Sequence, residues 1–352
     1  MMDLDDIDSF RKNDPQDMLA EINGLPGQLL EAWRLGQNLA RSGSFETGLE
    51  AVIISGMGGS AIGADLLAAY LQPACRVPIL VHRDYGLPAF ASGSRILVIA
   101  SSHSGNTEET LDSFEAARAA GCSVLAITTG GRLAKRAGDR AWIFPHAGMP
   151  RAAVGYSFGL LLALFTHLDL IPDPSGELDA AVEAMHSQLR SLRANVPVAA
   201  NPAKRLAGQL VGRWVNVLAS GGLAPVARRW KCQINELAKA GAGFEALPES
   251  DHNTLAGLVN PTRFMQKTFT VFLRAPSDHP RNRLRHALTH DAFLQAGLCA
   301  GFFDAQGETL LAHIWTALHF GDYVAYYLAM AYGMDPTPVQ ALESLKKKLR
   351  TG

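Results

Sequence analysis

Short apolar runs alternate with helical segments along most of the chain, and this alternation constrains the fold more than any other feature. A run such as AVIIS at residues 51–55 is long enough for one buried strand. Strands of this length joined by helices build βαβ units, in which both faces of a parallel sheet are covered. The sequence therefore predicts an α/β fold, with strands at residues 51–55, 77–81, 96–100, 123–128 and 141–144 and helices at 61–71, 108–119, 132–137 and 152–170.

The same alternation resumes beyond a Pro/Gly-rich break at residues 171–176. Residues 214–222 followed by a helix mirror residues 51–59 followed by a helix, and this weak internal repeat indicates two copies of one fold. A length of 352 residues also exceeds what one ordinary core needs. For this half we predict strands at residues 215–219 and 268–273 and helices at 178–193, 225–239, 281–295 and 313–332.

A helical lead-in precedes the first strand. Its apolar periodicity covers residues 16–42, and we expect Asn23-Gly24 and Pro26-Gly27 to break it into two pieces. The predicted organisation is a lead-in, two domains and a terminal helix, at residues 1–45, 46–172, 173–335 and 336–352.

Composition excludes several classes of protein. Lys and Arg number 32 against 33 Asp and Glu, so no basic field is available to hold nucleic acid. The acidic N-terminus lacks the features of a secretory signal, and the apolar run at residues 158–168 is shorter than the ~20 residues of a membrane span. The four cysteines are widely spaced, as in reduced proteins. We therefore expect a cytoplasmic protein without a nucleic-acid or membrane partner.

A glycine-rich turn, Gly56-Met57-Gly58-Gly59-Ser60, follows the first predicted strand. Glycines let the backbone approach a ligand closely, and the next helix offers free N–H groups to an anion. The turn is also compatible with a nicotinamide-binding fingerprint through Gly56, Gly58 and Ala61, with Asp84 as a loose candidate for the acidic partner. Tight strand–helix packing is the third explanation.

A second loop, at residues 101–110, carries the sequence SSHSGNTEET and is a stronger signal. Its hydroxyls, together with helix N–H groups, can cradle a phosphate monoester without a lysine. A plain helix cap at Ser104 or Thr107 is the alternative, although a single hydroxyl would suffice for that. Residues 128–131, TTGG, form a third loop after the next strand. In an open parallel sheet, such strand ends converge on one crevice.

The motifs GMGGS, SHSGNTEET, ITTGG, PRAA, NELAK, LPESDHN and DPTP together resemble the bifunctional phosphoglucose/phosphomannose isomerases, which belong to the sugar isomerase (SIS) domain proteins. The resemblance covers nearly the whole chain. It implies two SIS domains, each a mainly parallel sheet flanked by helices. It also implies a homodimer with sites at the domain and subunit interface and a phosphorylated hexose as substrate. We expect no cofactor and no metal, since the sequence offers no convincing metal-ligand cluster.

The resemblance also assigns roles to individual residues. Arg151 lies beside the sugar, Glu236 is the general base and His252 is the ring-opening acid. The family uses a further lysine in the last long helix, and a gapless count back from Asp335 matches that lysine to Tyr327. The substrate-binding residues, which contact mainly the phosphate, are Gly58, Gly59, Ser60, Ser102, Ser104 and Thr107.

These residue types suit the chemistry of aldose–ketose isomerisation. A carboxylate such as Glu236 can move a proton between C2 and C1 through a cis-enediol, a histidine near neutrality can open the ring, and Arg151 can stabilise negative charge. The expected reaction interconverts glucose 6-phosphate, mannose 6-phosphate or both with fructose 6-phosphate. Two alternatives stay open, namely a non-catalytic SIS sugar-phosphate sensor, which Tyr327 would favour, and a nicotinamide-dependent dehydrogenase.

His286 and His290 have the i, i+4 spacing of helical zinc ligands. Ala287 stands where a metalloprotease motif has glutamate, so we interpret the two histidines as an ordinary polar helix face.

Overall fold

Two parallel sheets organise the computed structural model, which describes residues 3–41 and 46–349. The first sheet has the order β2-β1-β3-β4-β5, with β1 Ala51–Gly56, β2 Ile79–His82, β3 Ile96–Ser101, β4 Ser123–Thr128 and β5 Ala141–Ile143. The second has the order β7-β6-β8-β9, with β6 Trp214–Ser220, β7 Ala242–Leu247, β8 Thr268–Arg274 and β9 Cys299–Asp304. The predicted α/β class is confirmed.

Helices cover both sheets and join them. Two of them, α6 (Val154–His167) and α12 (Leu310–Tyr332), are buried over nearly their whole length, because each packs against several other helices. No helix among the described residues is apolar over a stretch long enough to cross a membrane. In chain order the helices are α1 Ile7–Asn13, α2 Met18–Arg41, α3 Gly58–Leu71, α4 Glu108–Ala119, α5 Gly131–Ala137, α6 Val154–His167, α7 Ser175–Leu192, α8 Pro202–Leu210, α9 Ala224–Leu237, α10 Thr262–Met265, α11 Pro280–Gln295, α12 Leu310–Tyr332 and α13 Gln340–Leu349.

The expected break in the lead-in is wrong, because α2 continues through Pro26. A proline inside a helix leaves the carbonyl four residues earlier without its N–H partner. Here that carbonyl belongs to Ile22, and it lies 2.8 Å from Nε2 of the buried His319 on α12. Burial lowers the pKa of His319 to about 4, so the ring is neutral and can donate this hydrogen bond. A long-range partner therefore satisfies the group that the proline leaves unpaired.

Several helices and strands of the structure were not predicted from the sequence. The strands β7 and β9 lie at the two edges of the second sheet and are mostly only half-buried. Edge strands are less buried and need fewer apolar residues, so the apolar pattern that would predict β7 and β9 from the sequence is weak. The short helices α1 and α8 were missed as well. Residues 1–2, 42–45 and 350–352, which belong to the predicted lead-in and terminal helix, lie outside the described residues.

Candidate active site

The glycine turn lies between β1 and α3. Gly58 has φ +51°, and a methyl group on it would meet no atom within 4 Å, so the left-handed backbone, not crowding, favours glycine. The cap residue Met57 makes no side-chain bond to the helix. The first N–H groups of a helix have no partner inside it. The start of α3 therefore offers N–H donors and a positive dipole end to an anion.

The hydroxyl-rich loop follows β3. Thr107 is the N-cap residue of α4, but its side chain makes no capping hydrogen bond. Its Oγ1 lies instead 2.9 Å from Ser102 Oγ, while the exposed Ser104 Oγ accepts a hydrogen bond from Asn106 N at 3.2 Å. The alternative of a plain side-chain cap is therefore wrong. The first turn of α4 keeps N–H groups for another acceptor, beside three hydroxyls.

Hydrogen bonds and close contacts bring the three strand ends together. The backbone N–H of His103 donates to Ser60 Oγ at 3.2 Å, which ties the hydroxyl loop to the glycine turn. From the third loop, Thr129 donates to the carbonyl of His103 through both its N–H and its hydroxyl. A Cβ on Gly105 would lie 1.9 Å from the oxygen of Gly130. The three loops therefore form one continuous surface at the ends of the strands.

Arg151 lies directly against the glycine turn. A Cβ on Gly59 would lie 2.5 Å from Pro150 O and 3.2 Å from Arg151 Cα, so only glycine allows this approach. The Arg151 side chain is 3% exposed, and its guanidinium donates to the carbonyls of Pro336 and Thr337. Burial lowers the pKa of Arg151, while the negative charge of Glu236 opposes this shift.

Glu236 belongs to the second domain and forms an ion pair with Arg151 of the first. Its Oε2 lies 3.4 Å from Arg151 Nη1, and 28% of its side chain is exposed. Glu236 is in the last turn of α9, which a buried two-bond ion pair between Arg229 and Asp322 holds on α12. A carboxylate on α9 thus lies 3.4 Å from Arg151, whose backbone packs on the glycine turn of the first domain.

His252 is separate from this group. Its side chain is exposed, and the residue ends the 3₁₀ turn Glu249–His252, which follows β7. Its neighbour Asp251 accepts hydrogen bonds from Arg285 and Thr289 on α11. Among the described residues, no hydrogen bond or ion pair joins the His252 side chain to Glu236 or Arg151. Within the described part of one chain, the predicted acid and the predicted base are therefore not hydrogen-bonded to each other.

Tyr327 lies in the core and not at the site. It is fully buried on α12, and its hydroxyl donates to the carbonyl of Leu192. Burial raises the pKa of Tyr327, so it stays neutral. Tyr327 therefore contributes no side chain to the site, and the match of this position to the family lysine stays a prediction.

The prediction of an ordinary polar helix face on α11 is wrong for His286. This residue is fully buried, with Nε2 3.2 Å from Ser220 Oγ and 3.8 Å from Asp278. His290 stacks on Phe302. The helix packs on the second sheet, which the local sequence did not reveal. No group of three or more His, Cys, Asp or Glu in the described ranges could hold a metal ion.

A search among characterised proteins gives relatives along nearly the full length. A bifunctional phosphoglucose/phosphomannose isomerase of Caldicellulosiruptor bescii is 38% identical, with 94% of this chain and 98% of the relative covered. One from Aquifex aeolicus is 33% identical, over 86% of this chain and 92% of the relative. The family model for the bacterial phospho-glucose isomerase C-terminal SIS domain matches residues 199–349.

The chain belongs to this family of bifunctional phosphoglucose/phosphomannose isomerases. The predicted family and class of enzyme are thereby confirmed. The fold also resembles that of a hypothetical protein from Thermus thermophilus, with a TM-score of 0.73 at 18% identity over 97% of this chain and 91% of the other.

The sequence analysis gave no role to one charged group that lies close to Glu236 and Arg151. Lys239 follows α9, and its Nζ donates to the carbonyl of Glu236 at 2.7 Å. The segment Asp335-Pro336-Thr337 lies near it, because Arg151 holds the carbonyls of Pro336 and Thr337. The NELAK and DPTP motifs contained these residues, so the signal was present in the sequence without a role attached to it.

Proposed function

We propose that the chain interconverts glucose 6-phosphate and mannose 6-phosphate with fructose 6-phosphate through a cis-enediol. The observation that carries this proposal is the position of Arg151. Its backbone packs on the glycine turn while its guanidinium lies 3.4 Å from Glu236. A sugar phosphate held by its phosphate at the loops would have its reacting carbons near this pair.

Each residue then has a chemical task. The loops around Gly58, Ser104 and Thr107 hold the phosphate through N–H groups and hydroxyls. Glu236 takes the C2 proton of the aldose and returns it to C1, and Arg151 stabilises the negative charge that develops on the oxygens. Because C2 becomes planar in the enediol, the two C2 epimers share one intermediate. One carboxylate can therefore serve both reactions.

Ring opening is assigned to His252, contributed by a second copy of the chain. Two observations support this part of the proposal. The His252 side chain is exposed, and the neighbouring α11 exposes Leu284 and Leu288, at 45% and 60%, on successive turns. Exposed leucines next to an active-site residue suit a surface that another subunit covers. A cytoplasmic homodimer stays the prediction.

The alternatives are less well supported. The sensor hypothesis depended on Tyr327 replacing a catalytic lysine, and Tyr327 is a core residue. The dehydrogenase hypothesis needed an acidic side chain to bind a ribose. The Asp84 carboxylate instead accepts a hydrogen bond from the backbone N–H of its neighbour Tyr85, and the Asp84 backbone carbonyl accepts one from the Ser113 hydroxyl. It also leaves the hydroxyl-rich loop without a task.

The test is to incubate the purified protein with fructose 6-phosphate and to measure glucose 6-phosphate and mannose 6-phosphate separately, with and without EDTA. We expect both products, no effect of EDTA, and parallel loss of both in Glu236→Gln. Loss of only the mannose activity on chelation would contradict the single-site model. Absence of both products from the wild-type protein would contradict the proposed function.

A further inference from the structure

A row of three titratable side chains runs from the lead-in helix α2 into the hydroxyl-rich loop. Oε2 of Glu21, on α2, lies 3.4 Å from Nε2 of His146. The other ring nitrogen of His146, Nδ1, lies 2.9 Å from Nε2 of His103, which belongs to the loop at residues 101–110. We call Glu21, His146 and His103 the histidine chain. The proposed mechanism gives none of the three a task.

The surroundings hold the histidine chain in place. The His146 side chain is only 7% exposed, and its ring makes an edge contact with Tyr156. The two imidazoles meet edge to face, with ring centroids 5.1 Å apart. A Cβ on Gly148 would lie 2.4 Å from Oε1 of Glu21, so glycine at this position leaves room for the carboxylate.

His103 also organises the surface that we propose for the phosphate. Its backbone N–H donates to Ser60 Oγ in the glycine turn. Its carbonyl accepts hydrogen bonds from the N–H and the hydroxyl of Thr129 in the third loop. His103 therefore links all three loops, and a charge on its ring would act on whatever anion they bind.

The loops themselves carry negative charge. Residues 56–60, 101–110 and 128–131 contain Glu108 and Glu109, but no lysine and no arginine. A phosphate monoester carries about −1.5 to −2 charges at pH 7. A group in these loops that gains positive charge would therefore strengthen the binding of a phosphate.

The charged groups around the two imidazoles are mostly acidic. Glu21 pairs with His146 directly. Glu31, from the same helix, hydrogen-bonds to Tyr156, the residue whose ring contacts His146. Arg132, which follows the third loop, is exposed and donates to a backbone carbonyl. With both rings neutral the histidine chain bears the single negative charge of Glu21, and one proton on the rings cancels it.

We propose that the histidine chain takes up a proton when the phosphate of the substrate binds, which makes His103 and His146 positioning residues for that phosphate. This inference rests on the proposed function. The proton comes from solvent, stays on the imidazole pair and returns to solvent when the product leaves. The isomerisation itself therefore gains and loses no proton.

The free protein is ready for this change. Burial and the neighbouring His146 lower the pKa of His103 to about 4, so its ring is neutral at pH 7 before the substrate arrives. A phosphate dianion acts in the opposite direction, because a nearby negative charge favours the protonated ring. The Glu21 carboxylate balances that proton from the other end of the chain. Bound phosphate therefore raises the pKa of His103 towards neutrality.

Calorimetry measures the proton directly. Sorbitol 6-phosphate has no carbonyl, so it can bind without being isomerised. Its binding enthalpy at pH 7, compared in buffers of different ionisation enthalpy, gives the number of protons taken up. We expect the wild-type protein to take up roughly half a proton more than the double variant His103→Asn with His146→Asn.

Two further variants sharpen this measurement. Glu21→Gln should take up less than the wild-type protein, because the carboxylate that balances the proton is lost. The exposed His186→Asn is the control, and its proton uptake should equal that of the wild-type protein.

The pH dependence of KM separates this role from a structural one. For fructose 6-phosphate, the KM of the double variant should exceed the wild-type KM by about three- to fivefold at pH 6.5 and by less than about 1.5-fold at pH 8.5. The two values converge because the wild-type protein also lacks the proton at high pH. A structural defect would instead raise KM by the same factor at every pH.

Three results would overturn the inference and leave the proposed function intact. One is binding of sorbitol 6-phosphate to the wild-type protein without net proton uptake, a result that needs no variant to fold. Another is equal uptake by the wild-type protein and the double variant. The third is a KM ratio that stays constant between pH 6.5 and pH 8.5. Failure of the proposed function would instead appear as absence of isomerase activity in the wild-type protein.

Discussion

Two glycine turns occupy equivalent places in the two sheets, one between β1 and α3 and the other between β6 and α9. Gly58 and Gly221 have the same left-handed φ of +51°. Around Gly58 the space is open, whereas the atom nearest to a Cβ on Gly221 is Asp278 Oδ1, at 4.0 Å. The Asp278 carboxylate accepts hydrogen bonds from Ser220 Oγ at 3.0 Å and from Ala275 N at 2.8 Å.

The same type of turn can therefore be left open for a ligand or be filled by a side chain of the protein itself. In the first domain we propose that this open position holds the phosphate of the substrate. In the second domain a carboxylate of the chain itself lies there, and Asp278 is only 7% exposed. The proposed contribution of the second domain to the reaction comes from the opposite end of α9, where Glu236 lies. Four predictions test this division of labour.

The largest loss of activity is expected at the C-terminal end of α9, where Glu236 lies. Glu236→Gln keeps the shape of the side chain and removes the base, so kcat should fall by about 10²–10⁴-fold while KM stays close to normal. Steady-state kinetics with both aldoses measures this. A variant that keeps more than about a tenth of the wild-type kcat would show that another group removes the C2 proton.

The second prediction contrasts the two turns directly. Ser104→Ala combined with Thr107→Ala should raise KM about tenfold or more, because the phosphate is held in the ground state as well as the transition state. The matched change in the second turn, Ser220→Ala, should leave KM unchanged. Equal effects of both changes on KM would remove the proposed distinction between an open and a filled turn.

The third prediction concerns stability. Asp278→Ala should lower the free energy of unfolding by about 1–3 kcal/mol, because Ser220 Oγ and Ala275 N lose a buried acceptor. Asp278→Asn keeps an acceptor and should cost less at pH 7, since burial raises the pKa of Asp278 and so disfavours its charged form. Denaturant titration measures both. We expect inorganic phosphate to restore more stability to Asp278→Ala than to Asp278→Asn.

The smallest effect is a change in pH dependence. Burial lowers the pKa of His286 to about 4, against 6.5 for the free group. As the pH falls, His286 is therefore protonated in the unfolded chain at a higher pH than in the folded chain. The contribution of neutral His286 to stability is complete above pH ~6.5 and is lost as the pH falls towards 4. His286→Asn should flatten the decline of Tm between pH 7 and pH 5. The exposed His186→Asn is the control, and an unchanged slope in both variants would contradict the prediction.

Much of the architecture was accessible from the sequence. The strands that carry the phosphate loops, and the loops themselves, were predicted because both depend on local patterns. A buried strand needs a short apolar run, and an anion-binding turn needs glycine and hydroxyls next to a helix start. The motif series then indicated the family, and Arg151 and Glu236 with it. The structure brings these two side chains to 3.4 Å from each other, and their catalytic roles stay predictions.

Other features were decided only by contacts between distant parts of the chain. Pro26 remains inside a helix because His319, almost 300 residues later, satisfies the carbonyl of Ile22. Tyr327 lies in the core, and Asp278 fills an anion position that its own sequence does not mark. Lys239 beside Glu236 depends on a left-handed backbone. By itself the sequence determined which local elements form, since these follow from neighbouring residues, whereas burial and the partners of polar groups depend on residues that only the folded chain brings together.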